Sequence, residues 1–109
     1  MKVFSNQVLV CGHRGERIHG NENTITAFRS ALAAGVDMLE TDVRMTCDGH
    51  LVLMHDAEAA RTTDGTGLLS EMTLDEVLHL NAAVHADPPT APEAPATLRG
   101  SFRAGQEQT

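Results

Sequence analysis

The stretch from Glu40 to Asp56, ETDVRMTCDGHLVLMHD, decides the fold of this chain of 109 residues. It has the pattern of two apolar strands joined across Asp48-Gly49, a dipeptide whose glycine accepts the positive φ of a hairpin turn. Side chains alternate between the two faces of a strand, so Glu40 and Asp42 are expected to project from the same side. The pattern therefore predicts a hairpin that carries two neighbouring carboxylates.

These two carboxylates are candidate metal ligands. Glu40 and Asp42 repel each other when they meet at one point, and a hard divalent cation such as Mg²⁺ or Ca²⁺, which prefers oxygen ligands, offsets that repulsion. An E-x-D pair is also common on the solvated face of a strand. From these residues alone, both interpretations stay open.

Two histidines follow apolar runs, at the places where an α/β sheet presents functional groups. His13-Arg14-Gly15 follows the first run, and His55-Asp56 follows LVLM. Ligands gather at the carboxyl ends of parallel strands, imidazole exchanges protons near neutral pH, and arginine forms paired bonds to phosphate or carboxylate. Each residue alone is typical of a polar loop, but together they favour a functional site.

The segments before this hairpin have the order strand, loop, helix. The run QVLVCGH is typical of a buried strand and is followed by a glycine-punctuated polar loop. Apolar residues between Ile25 and Leu32 then recur on one helical face. Asn23 is the expected cap of this helix, and Gly35 is its expected end.

A second helix is expected after the polar loop RTTDGTG. Thr73 and Glu76 have the spacing of a capping box ahead of Leu74, and the helix is expected to end near Asn81. The order strand, helix, hairpin, helix predicts the opening of an α/β fold.

The chain changes character after residue 83. All four prolines lie between Pro88 and Pro95, and no apolar periodicity returns before the end of the sequence. We therefore divide the chain into a folded part, residues 1–83, and a proline-rich loop with a polar tail, residues 84–109, which is expected to lack regular structure.

Composition argues against a nucleic acid partner. Aromatic residues make up 3% of the chain, and eight Lys and Arg stand against fifteen Asp and Glu, for a formal charge of −7. Nucleic acid binding uses clustered cations and aromatic stacking, so it is not expected here. An anionic substrate would need a local positive centre. The hydrophobic content of 41% is ordinary for one small globular domain.

The cysteines and the amino-terminal residues indicate a soluble cytoplasmic protein. Cys11 and Cys47 lie in apolar runs without the spacing of a zinc site, so we expect buried, reduced thiols. The apolar run VLVCG is too short for a signal peptide or a membrane span.

The remaining polar residues carry weaker signals. The motif Arg61-Thr62-Thr63 fits either the mouth of a substrate site or a turn-rich connector. Four histidines have no spaced partner and are expected at the surface: His19, His50, His79 and His85.

A series of short motifs runs along the chain in a fixed order, from about Val8 to Asn81. This series resembles the glycerophosphodiester phosphodiesterase family. The matching residues are His13-Arg14-Gly15, Glu22-Asn23-Thr24, Ala27-Phe28, Gly35, Asp37, Glu40, Asp42-Val43, Thr46, Asp48-Gly49, Val52, His55-Asp56, Arg61-Thr62-Thr63 and Gly67.

The resemblance implies an α/β fold of the TIM (β/α)₈ barrel type and a hydrolase of lipid and glycerol metabolism. Members of the family cleave glycerophosphodiesters, such as glycerophosphocholine, to sn-glycerol 3-phosphate and an alcohol. The resemblance also implies the site residues: an acid/base pair, His13 and His55; metal ligands for Mg²⁺ or Ca²⁺, Glu40 and Asp42; and a phosphate contact, Arg14.

The chain departs from the family pattern in two ways. Asn21 replaces a proline, a change expected to affect only the stiffness of the loop. The third metal carboxylate and a nearby lysine of the family have no counterpart. Because a (β/α)₈ barrel takes about 250 residues, residues 1–83 are expected to be the N-terminal part of a catalytic domain in a truncated chain. We expect the chain alone to form neither a stable barrel nor an active enzyme.

Three functions stay open at this point. The first is a metal-dependent phosphodiesterase, and the second is a sphingomyelinase D-like phospholipase, which shares the barrel and the two-histidine site. The third is a catalytically silent fragment. The matches at Glu22-Asn23-Thr24 and Arg61-Thr62-Thr63 favour the first of these.

Overall fold

A computed structural model describes residues 10–15 and 21–107 of the chain. The start of the predicted first strand and His19 lie outside the described residues.

The first described unit is a parallel strand pair connected by a helix. β1 (Cys11–His13) pairs with β2 (Met38–Glu40), and α1 (Ile25–Ala33) lies between them in the chain. The cap of α1 is Thr24, whose side chain accepts from the amide of Ala27, so the prediction that Asn23 caps this helix is wrong. Asn23 instead has a positive φ of 58°, a left-handed backbone that does not suit a cap.

The predicted hairpin is confirmed, but its first strand is shorter than expected. β3 (Val43–Met45) pairs antiparallel with β4 (Leu51–Leu53), and the turn contains Gly49 at φ 84°. The expected strand through residues 38–45 is instead divided between β2 and β3, with Thr41 and Asp42 outside both. The alternation rule therefore does not fix the directions of the two carboxylates, because they do not belong to one strand.

His55 follows the second strand of this hairpin. β4 pairs antiparallel with β3, and His55 comes two residues after β4 ends. The parallel pair of the described structure is β1 with β2.

The second helix begins as predicted. A 3₁₀ turn at Leu69–Glu71 leads into α2 (Leu74–Leu78), whose capping box joins Thr73 and Glu76. The helix ends at Leu78, earlier than expected. The surface positions predicted for His50, His79 and His85 are confirmed.

The core lies on both sides of β4. Neighbouring residues of a strand point to opposite faces, and Val52 and Leu53 accordingly enter two different clusters. Val52 packs with Met54, Ala59, Leu69 and Val77. Leu53 packs with Phe28 and Ala96, next to Ile25, Leu39 and Leu98. This explains why the three successive residues Val52, Leu53 and Met54 are all apolar.

The segment expected to be an irregular tail contains a helix, α3 (Leu98–Glu107), so that expectation is wrong. The helix is held by contacts made far along the chain. The amide of Leu53 donates to the carbonyl of Ala96 at 2.9 Å, and α3 packs on α1. Part of segment 84–109 thus joins the core of the preceding residues, and the division of the chain at residue 83 stays a prediction.

The expected burial of the two cysteines is wrong, because both are exposed. β1 buries Gly12 and exposes the residues on either side, including Cys11. Cys47 follows β3 at the hairpin turn. Both are free thiols. None of the helices in residues 21–107 has the length and apolar character that crossing a bilayer requires.

Candidate active site

The loop after β1 places Arg14 in a conformation that few large residues adopt. Arg14 has φ 57° and Gly15 has φ 83°, so two successive residues are left-handed. Gly15 lies directly against α1, and a Cβ atom on it would come within 2.8 Å of the carbonyl carbon of Ala27. Such strained backbone persists where the surrounding structure determines it, often at functional sites.

Arg14 brings the two predicted metal ligands together. The Arg14 amide lies 3.2 Å from Oε2 of Glu40, and Nε of Arg14 lies 3.3 Å from Oδ2 of Asp42. His13 contacts the same glutamate, with Nε2 at 3.2 Å from Oε2. Four of the five predicted site residues therefore share one place, although the paired carboxylates do not come from one strand.

The two carboxylates of this cluster are the type of ligand that a hard cation prefers, but a metal site needs more ligands than these two. Carboxylate oxygens are the donors that Mg²⁺ and Ca²⁺ prefer, and the contacts above use only one oxygen each of Glu40 and Asp42. Within residues 10–15 and 21–107, however, no three acidic, histidine or cysteine side chains converge tightly enough to form a metal site. The structure thus brings two carboxylates together, and their role as metal ligands stays a prediction.

Asn23 holds the segment between β2 and β3 in place. Its amide oxygen accepts from Oγ1 of Thr41 at 2.7 Å, and its Nδ2 donates to Oδ2 of Asp42 at 3.3 Å. Its backbone amide donates to the carbonyl of Arg14 at 2.8 Å. The buried Asn23 therefore fixes Asp42 relative to Arg14. The sequence motif E-N-T was the signal for this residue, but its role was not predicted.

His55 is held at one ring nitrogen by its neighbour. Nδ1 of His55 lies 2.8 Å from Oδ1 of Asp56, and the His55 carbonyl accepts from Nη2 of Arg44 at 2.6 Å. Arg61 donates to both oxygens of Asp56, from Nε at 2.8 Å and from Nη2 at 3.1 Å. Hydrogen bonds from Arg61 and from His55 hold the pKa of Asp56 far below its usual range.

Glu22 links this group to Arg14. Its side chain is 8% exposed, and its two oxygens accept from Nη1 of Arg14 at 2.9 Å and from Nη2 of Arg61. Burial alone would raise the pKa of Glu22, but the hydrogen bonds from the two arginines outweigh burial and hold it below its ordinary value. Glu22 was recognised in the sequence only as part of a motif.

The predicted site residues therefore fall into two groups that Glu22 and Arg61 connect. One group is His13, Arg14, Glu40 and Asp42, and the other is His55 with Asp56. From the sequence, Arg61 fitted either the mouth of a substrate site or a connector. In the structure, Arg61 joins the second group to Glu22. The whole arrangement combines imidazoles, which can exchange protons, with guanidinium groups and two carboxylates that can bind a hard cation.

The parallel pair of β1 and β2 with its connecting helix α1 is a unit of an α/β fold, and comparison with known proteins identifies the family. The sequence profile of the Glycerophosphoryl diester phosphodiesterase family matches residues 13–106. The chain belongs to this family, and the resemblance inferred from its motifs is confirmed.

Curated relatives agree with this assignment. The chain is 45% identical over 78 residues to a glycerophosphodiester phosphodiesterase of Caldanaerobacter subterraneus, covering 72% of this chain and 32% of the relative. It is 40% identical over 80 residues to human Glycerophosphodiester phosphodiesterase 1, covering 73% of this chain and 24% of that protein. The chain thus spans about a quarter to a third of the length of these relatives.

Solved structures establish the fold class. A glycerophosphodiester phosphodiesterase of Agrobacterium tumefaciens aligns with a TM-score of 0.84 at 32% identity, covering 94% of this chain and 45% of that chain. A phosphodiesterase of Oleispira antarctica, solved with the product sn-glycerol-3-phosphate, aligns with a TM-score of 0.83 at 30% identity, covering 93% and 41%. The described elements are therefore part of a TIM barrel, as predicted.

Proposed function

We propose that this site contributes to the hydrolysis of glycerophosphodiesters to sn-glycerol 3-phosphate and an alcohol. The observation that carries the proposal is the convergence of Glu40 and Asp42 on Arg14, with His13 in contact with Glu40, in a chain of this family. The product complex of the Oleispira antarctica relative supports a substrate of this class.

The two histidines would exchange the protons of the reaction. His55 would donate from Nε2 to the departing alkoxide, because its Nδ1 already contacts Asp56. His13 would accept a proton from the attacking water. The water oxygen bonds to phosphorus as the ester bond between phosphorus and the alcohol oxygen breaks, so the products are a phosphomonoester and an alcohol. Arg14 would face the phosphate.

Glu40 and Asp42 would hold a divalent cation, Mg²⁺ or Ca²⁺. Among the described contacts, Arg14 and Arg61 meet four carboxylates: Glu22, Glu40, Asp42 and Asp56. A divalent cation at Glu40 and Asp42 would offset the repulsion between these two carboxylates and, when bound, would stabilise negative charge on the phosphate. The proximity of the two carboxylates therefore supports a metal at this place.

The relatives' names favour this substrate class over that of a sphingomyelinase D-like phospholipase. A catalytically silent chain that keeps the motifs is the remaining alternative, and the experiment below separates it. The cytoplasmic location and the lack of a nucleic acid partner stay predictions.

The test compares ligand binding with turnover. Broadening of the ³¹P resonance of sn-glycerol 3-phosphate would report binding, and release of glycerol phosphate from glycerophosphocholine would report turnover, each with and without Mg²⁺ or Ca²⁺. We expect metal-dependent binding and at most slow turnover, because two carboxylates hold a hard cation weakly. Binding without any turnover would support the silent alternative, and no binding would refute the proposed function.

The metal assignment has its own matched variants. Glu40→Ala and Asp42→Ala are expected to abolish the metal-dependent part of both signals with little change in fold. Glu71→Ala and Asp75→Ala remove the same charges at exposed positions elsewhere and should leave both signals intact. Near-normal signals in both site variants would refute the assignment of Glu40 and Asp42 as ligands.

A further inference from the structure

A continuous series of charged contacts joins His55 to Arg14 through side chains that the proposed chemistry does not use. Asp56 contacts His55 and accepts two hydrogen bonds from Arg61. Arg61 also donates to one oxygen of Glu22, and Arg14 donates to the other. The series therefore runs from one proposed proton donor to the proposed phosphate contact without a gap.

The contact with Asp56 determines which nitrogen of His55 can react. An ionised carboxylate only accepts hydrogen bonds, so Nδ1 of His55 must be the donor in this 2.8 Å contact. In the neutral ring, Nε2 is then the nitrogen without a proton. In the charged ring, Nε2 carries the proton that can leave. The orientation of Asp56 thus decides whether Nε2 faces the substrate.

Asp56 would not keep that orientation alone. The His55 and Asp56 side chains are 47% and 31% exposed, and an exposed neighbouring pair gains little from its own attraction. The planar guanidinium of Arg61 holds both oxygens of Asp56 at once, which fixes the plane of the carboxylate.

Arg61 in turn needs an anchor, because its own side chain is 50% exposed. Glu22 provides one, since its carboxylate is 8% exposed and lies between two guanidinium groups. A buried carboxylate is costly unless it is paired, so Glu22 keeps both arginines close to it. The position of Arg61 is therefore coupled to that of Arg14.

We propose that Arg61 and Glu22 are positioning residues that fix the Asp56–His55 pair, so that Nε2 of His55 is the reacting nitrogen. The kinetic consequence rests on the proposed function, whereas the effect on the imidazole ring does not. Neither residue needs to touch the substrate in this role.

The tautomer of His55 gives a test that does not depend on turnover. Long-range ¹H–¹⁵N NMR spectra of the labelled chain distinguish a proton on Nδ1 from a proton on Nε2. We expect the Nδ1–H form in the unsubstituted chain and a shift toward the Nε2–H form in Arg61→Gln. Arg61→Lys should restore part of the Nδ1–H population. Arg99→Gln removes an exposed arginine of α3 and should change nothing.

Circular dichroism would confirm that each variant folds. If Arg61→Gln does not fold, Glu22→Gln leaves the contacts of Arg61 with Asp56 in place and should shift the tautomer in the same direction by less. An unchanged His55 tautomer in a folded Arg61→Gln protein would overturn the inference, whatever the activity.

Kinetics then separate this inference from the proposed function. Where the unsubstituted chain turns over, Arg61→Gln should lower kcat about 10- to 100-fold, the effect seen when the groups that orient metal-binding histidines are removed, with KM little changed. A change in KM alone would contradict positioning. An unsubstituted chain that shows the Nδ1–H tautomer but no turnover would support the catalytically silent alternative and leave the positioning role supported.

Discussion

Replacing Gly15 with alanine is expected to destabilise α1 by about 2–5 kcal/mol. A left-handed backbone costs an L-residue about 1–2 kcal/mol, and Gly15 has φ 83°. The new Cβ would also lie 2.8 Å from both the carbonyl carbon and the Cβ of Ala27. Because those atoms belong to the first turn of α1, they cannot rotate away, and overpacking of this kind adds about 1–3 kcal/mol.

Gly35 provides the matched control on the same helix. It follows the carboxyl end of α1 with φ 87°, and a Cβ on it would meet nothing within 4 Å. Gly35→Ala therefore adds the left-handed strain without the crowding, and it should cost only about 1–2 kcal/mol. The difference between the two variants isolates the contact of Gly15 with Ala27.

Amide hydrogen exchange measures this difference in the helix itself. The amide of Phe28 donates to the carbonyl of Thr24 at 3.1 Å in the first turn of α1, and its exchange reports the free energy of opening. A difference of 1–3 kcal/mol makes exchange about 5- to 140-fold faster in Gly15→Ala than in Gly35→Ala. Equal exchange rates in the two variants would show that α1 can move away from the loop, and the argument from close packing would fail.

Three further predictions concern the site and the thiols. His13→Ala and His55→Ala should each lower turnover by about two to four orders of magnitude, and a loss below about tenfold in either would assign that histidine to structure. The pKa of Asp56 is depressed in the folded chain, so its stabilising effect is fully present above the ordinary aspartate pKa of about 3.9 and is lost as the pH falls toward the lower folded value. Asp56→Asn should therefore be less stable than the unsubstituted chain in urea at pH 7, and this difference in stability should shrink below about pH 4. A difference in stability that does not change with pH would argue against the contact. Cys11 and Cys47 should both react with iodoacetamide in the native chain because they are exposed, and a disulfide-linked peptide in the mass spectrum would contradict this.

Local sequence signals predicted the features that depend on neighbouring residues. The capping box at Thr73 and Glu76, the turn at Gly49 and the end of α1 before Gly35 are all confirmed. Each follows from the backbone preferences of a few adjacent residues, so a single sequence carries enough information. The predicted cap of α1 was one position too early. Asparagine is a favourable cap residue, but the side chain of Asn23 forms hydrogen bonds with Thr41 and Asp42 instead.

Features that depend on distant contacts could not be predicted in the same way. α3 contains few apolar residues, and it is located by packing on α1 and by the bond between Leu53 and Ala96. The buried position of Glu22 arises because residues 14 and 61 converge on it from two loops. A glutamate is usually exposed, so its residue type does not predict burial, and only the motif Glu22-Asn23-Thr24 drew attention to Glu22.

The two left-handed residues explain why the H-R-G and E-N-T motifs occur together. Arg14 and Asn23 have φ 57° and 58°, and the amide of Asn23 donates to the carbonyl of Arg14 at 2.8 Å. Each left-handed residue is unfavourable alone, at about 1–3 kcal/mol, but the bond between them closes the loop. The closed loop aims the amide of Arg14 at Glu40 and the side chain of Asn23 at Asp42. Both metal-ligand candidates are therefore oriented from the same backbone contact, which neither motif could form without the other.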